Sequence, residues 1–78
     1  MYTKDLFMKS RIVNQKIKVL RNKLGISQTM MAERLGISQN AFSKIELGQI
    51  DLTLNRLYKI ADVLEVDVLD LVRIEEPS

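Results

Sequence analysis

Residues 38–47 of the chain read Ser-Gln-Asn-Ala-Phe-Ser-Lys-Ile-Glu-Leu. On a helical wheel of about 3.6 residues per turn, Phe42 and Ile45 mark an apolar side and Glu46 lies at its edge. The opposite side carries Asn40, Ser43, Lys44 and Leu47, with Ser38 and Gln39 at the N-terminal tip. Every polar residue on that outward side forms hydrogen bonds, and none is a carboxylate. The side-chain amides of Gln39 and Asn40 can bond adenine through N6 and N7. The Lys44 ammonium can donate to guanine O6 and N7, and the Ser43 hydroxyl suits either. An exposed helix in an ordinary bundle mixes Glu with Lys. A face with this composition fits base edges in a major groove.

Other chemistry finds little to use. The chain has no histidine and no cysteine, which removes the commonest metal ligands and the commonest general base. No glycine-rich phosphate loop and no carboxylate pair can be named. We therefore expect no enzyme activity, metal site or cofactor. Charge is distributed unevenly. Residues 1–48 hold nine Lys/Arg against three Asp/Glu, a balance of +6, and residues 49–78 hold three against seven, a balance of −4. Such a split suits a polyanion-binding face beside a face with another task.

Five apolar stripes supply the elements. Val13, Ile17, Leu20 and Leu24 recur at helical spacing, and shorter stripes follow at Met31, Ala32 and Leu35 and at Phe42 and Ile45. Leu54, Leu57, Ile60, Ala61 and Leu64 give the cleanest stripe, and Val68, Leu71 and Val72 the last. No segment alternates as a strand would. The pentapeptide LGISQ occurs twice, from Leu24 and from Leu35. Glycine is favoured just past a helix end, where the chain turns left-handed. Serine two residues later is a good N-cap. LGIS thus spells a helix end, a corner closed by Ile26 or Ile37, and a new helix start. It predicts a helix over 28–35, a three-residue turn, and a helix over about 39–47, the spacing of a helix-turn-helix. Ala32 provides the small side chain that a close crossing needs.

Phosphate contacts are expected from the basic first segment, at Lys9, Arg11, Lys16 and Lys18, with Lys23 adding charge. Gln28 begins a helix whose free amides and dipole favour an anion, and Ser38 joins the phosphate set at the tip of the next helix. In the acidic half, Asp67 is placed to cap the last helix. Leu69 and Val72 turn outward there, as a dimer contact or as a surface folded under residues 1–12. No apolar run reaches the roughly 18 residues of a membrane span, and the N-terminus lacks a signal-peptide layout. Both point to a cytoplasmic protein.

The stretch "RNKLGISQTMMAERLGISQNAFSKIELGQ" followed by "LTLNRLYKIADVLEVDVLDLV" resembles the Cro and phage-repressor-type, lambda-repressor-like helix-turn-helix family. The resemblance covers residues 13–72. It implies an all-α fold, a compact five-helix domain that binds double-stranded DNA, generally as a homodimer on a palindromic operator. By analogy Gln28 clamps a phosphate, while Gln39, Asn40, Ser43 and Lys44 face bases or nearby phosphates. An arginine late in the first helix pairs with the glutamate before the exit glycine, here Arg21 and Glu46. Departures are Glu65 where glycine often ends the fourth helix, Leu69 where a polar residue is common, and residues 1–12, which the family does not explain. That segment reads as a docking arm or a frayed terminus, ahead of a domain over 13–73 and a tail over 74–78. The competing function is an antitoxin or adaptor, a protein-interaction module holding a partner such as a toxin on the same scaffold.

Overall fold

The computed structural model describes residues 2–74, with side chains from residue 8 onward. Among these residues are five α-helices and no strand: α1 (Tyr2–Lys23), α2 (Gln28–Leu35), α3 (Gln39–Glu46), α4 (Leu54–Leu64) and α5 (Val68–Val72). The first stripe predicts a helix from Val13, whereas α1 starts at Tyr2. Lys9 and Ser10 interrupt the apolar periodicity there, yet no glycine or proline interrupts the helix. The side chains of Tyr2, Leu6 and Phe7, and residues 75–78 of the expected tail, lie outside the described residues.

Four of the helices end in one geometry. In the turn after α2, the amide of Gly36 donates to Glu33 O at 3.1 Å and that of Ile37 to Ala32 O at 3.0 Å. The same two bonds recur after α1, α3 and α4. The residue that turns left-handed is Gly25, Gly36 or Gly48 in three cases and Glu65, at φ 57°, in the fourth. This paired pattern satisfies carbonyls that a helix end leaves open. Each new helix then starts from a polar cap. Ser27 Oγ accepts from the Met30 amide and Ser38 Oγ from the Ala41 amide, both at 3.0 Å. Asp67 and Asp70 close a capping box on α5. Thr53 Oγ1 caps α4 by accepting from the Arg56 amide, a start signal the sequence reading passed over.

The stripes converge on one core of Ile17, Met31, Ala32, Leu35, Phe42, Ile60, Ala61, Leu64 and Leu71, with Ile45 also buried. Three exposed stripe members do not join it, among them Val72 at the end of α5, 41% exposed. Leu24 is 50% exposed and Leu54 is 69% exposed. Leu24 lies one residue past the end of α1 and Leu54 is the first residue of α4, and the core beside them is covered by Ile26 and Leu52, which pack against it from the adjoining turns. Ala32 is buried within the core cluster that joins α2 to α3, so the short side chain lets the two helices approach. No described helix is long and apolar enough to cross a membrane.

Candidate nucleic-acid interface

The amphipathic pattern of α3 fixes which side of it faces solvent. Phe42 and Ile45 are buried at 0% and 1% exposure. Their burial turns Gln39, Asn40 and Lys44 fully outward, with Ser43 half-covered. Ser38 is exposed, but its oxygen already accepts from the Ala41 amide, which leaves its proton free to donate. Leu47, 61% exposed, extends the same surface at the end of α3.

Glu46 is the one acid on α3, and it is withdrawn from this face. Its side chain is 3% exposed and that of Arg21 is 6% exposed, with Arg21 Nε 2.7 Å from Glu46 Oε2. A second guanidinium nitrogen donates to Oε1 at 3.1 Å, and the third donates to Ile26 O at 2.8 Å. Gln28 Nε2 donates to the same Oε1 at 2.9 Å. This bidentate pair ties the end of α1 to the end of α3 while fixing the first residue of α2. It also neutralises a carboxylate that would repel an anion, and such fork-to-fork pairs add geometric precision as well as energy. Among the described residues, no buried side-chain nitrogen or oxygen lacks a partner.

The cations expected to reach phosphates fall on different sides of α1. Arg11 and Lys18 line a cleft of about 150 Å³ with Asn14, Gln15, Gln28, Ser43, Glu46 and Leu47. They therefore flank α3. Lys16 does not: its ammonium donates to Asp70 O at 3.3 Å and to Arg73 O, at the C-terminal end of α5. There it serves the open carbonyls of that short helix and links α5 to α1. Lys9 is exposed and stands two positions before Arg11, about 160° round the helix by its 3.6-residue turn. It too leaves the α3 side. Asn14 and Gln15 were not singled out from sequence. The spacing of Arg11, Asn14, Gln15 and Lys18 on one helical face was the signal that could have found them.

On α5, Leu69 is 57% exposed and Val72 is 41% exposed. Val72 lines a wider groove with Val13, Leu47, Leu52 and Leu57. No group of acidic, histidine or cysteine side chains suited to a metal occurs among the described residues.

Residues 17–71 match the helix-turn-helix family. A cryptic phage CTXphi transcriptional repressor from Vibrio cholerae serotype O1 is 36% identical over 64 residues, which are 82% of this chain and 53% of the repressor. The chain thus spans about half the length of the curated relative it matches. No solved structure matches it. The matched span runs from the core residue Ile17 to the core residue Leu71 and contains both LGIS junctions, the Arg21–Glu46 pair and the whole of α3, so the chain belongs to the Cro and phage-repressor-type helix-turn-helix family.

Proposed function

We propose that the chain binds a specific double-stranded DNA sequence and regulates transcription there, with α3 entering the major groove. One observation carries this reading. The exposed face of α3 holds Gln39, Asn40, Ser43 and Lys44, while its only acid, Glu46, is turned inward and paired. Asn40 and Lys44 are the base readers, with Gln39 and Ser43 beside them. Gln28, Ser38, Arg11 and Lys18 hold the flanking phosphates. Gln28 keeps its amide oxygen and its second N–H for that role after bonding Glu46. The repressor activity named for the phage relative is consistent with this assignment.

The regulator acts as a homodimer on a palindromic operator. Two copies of α3 then reach successive major grooves about 34 Å apart. Leu69 and Val72 on α5 form the contact, because they are exposed apolar residues in the acidic half, which phosphates would repel. An antitoxin-like module would need apolar anchors on the α3 face. Leu47 and Met30 are exposed near it, but the four polar residues between them suit bases better than a protein surface.

A gel-shift titration of the wild type, Asn40→Ala and Lys44→Ala against duplexes that differ at single base pairs tests the reading. Each variant is expected to lose preference at one position and keep the rest. Unchanged preference in both would remove α3 as the reader.

A further inference from the structure

We infer that a second copy of the chain docks along the outer face of α1, so that the two-fold contact reaches from Leu69 of α5 into a groove beside α1. The inference rests on the homodimer reading above and gives a task to the turns before Val13, which the family resemblance does not explain. Met8, Ile12 and Val19 are 54%, 39% and 43% exposed. They fall within about 40° of one another on the wheel, on the side away from the buried Ile17. Ile12 and Val19 also line a groove of about 530 Å³ with Leu20, Val66 and Asp70. Leu69 stands between Val66 and Asp70 in the chain. Exposed apolar residues gathered on one face mark an interaction site, as scattered ones do not.

Charge identifies the occupant. Lys9 is exposed on α1, while the corner from Glu65 to Asp70 holds three exposed carboxylates and no cation. A basic helix, an apolar groove and an acidic corner make a surface complementary to itself under a two-fold rotation. In the antiparallel arrangement the axis passes between Ile12 and Gln15. Met8 of each copy then meets Val19 of the other, and Lys9 faces the other copy's acidic corner. The 22 residues of α1 rise about 33 Å, and Val13 is the first of them packed against the core. The turns before Val13 are the part that reaches across. Lys18, beside α3, stands about 100° from Val19 on the wheel, so the docked copy leaves α3 open.

Sedimentation equilibrium and a cross-link on the full chain test this contact. Ile12→Glu should be a folded monomer where wild type is a dimer, with unchanged helix content by circular dichroism. Lys9→Glu and Glu65→Lys should each weaken the dimer roughly tenfold, because symmetry enters each change twice. Combining the two should restore wild-type association. The chain has no cysteine, so Met8→Cys together with Val19→Cys should give a covalent dimer under mild oxidation, and either change alone should not. Within one chain the two sites are about 16 Å apart along the helix, too far for a disulfide. A dimeric Ile12→Glu beside a monomeric Leu69→Glu, or a dimeric double-cysteine variant that fails to cross-link, would overturn the α1 contact and leave the α5 contact standing. A wild type that stays monomeric would overturn both and leave the face to a different partner.

Discussion

At the scale of single residues, the side chains that read differ from the side chains that hold. Asn40 and Lys44 are exposed and make none of the side-chain bonds described above. Replacing either with Ala should cost roughly 1–3 kcal/mol of discrimination at one base pair, with little change in melting temperature. Thermal denaturation and competition binding on the same samples check both halves of that statement. Arg21 and Glu46 behave oppositely. Removing one partner strands a charge whose side chain is 6% or 3% exposed, at a cost on the order of 3 kcal/mol. A double-mutant cycle in urea should give a coupling well above the roughly 1 kcal/mol ceiling of solvated surface pairs. A coupling near zero would make the pair incidental. The meeting of Arg21 and Glu46 was legible through the family resemblance and through Glu46's place at the edge of the apolar side. The position of Lys16 was not. Its carbonyl partners lie 54 and 57 residues away in sequence, so only the packing of α5 on α1 could reveal that this cation is occupied.

At the scale of elements, the junctions were the most legible feature because their signal is local. Gly36 at φ 72° and Ser38 as the next cap are both specified within three residues of the turn. An added Cβ at Gly36 meets no atom within 4 Å, so Gly36→Ala should lose about 1 kcal/mol through the left-handed backbone alone. For a domain of this size that lowers the melting temperature by roughly 4–8 °C. Glu65 makes the converse case. It holds φ 57° with a side chain that disfavours it, and Glu65→Gly should gain about 0.5 kcal/mol once the added freedom of the unfolded chain is subtracted. Calorimetry on the two variants should show opposite signs, and shifts of the same sign would refute the reading of these turns. Element ends were less legible. Leu24 and Leu54 fit their stripes by angle but overrun the core along the helix axis, a distance that periodicity does not encode. The start of α1 was missed for a related reason, since a helix can continue without a buried stripe when nothing breaks it.

At the scale of the whole molecule, the split between a basic first segment and an acidic second one becomes an orientation. The α3 face and the Arg11–Lys18 side of α1 lie together in the basic part, while α5 presents Leu69 and Val72 from the acidic part. If a dimer neutralises about six phosphates, log K should fall with log salt at a slope near −5, and a flat response would remove the electrostatic component. Leu69→Glu should yield a folded monomer by sedimentation with much weaker operator binding, and an intact dimer would move the interface elsewhere. Selection of bound duplexes from a random pool with the wild-type protein shows whether this chain reads a DNA sequence through α3. One motif should be enriched, made of inverted half-sites spaced by about one helical turn, 10–10.5 base pairs. A pool that remains unenriched after repeated rounds would contradict that reading.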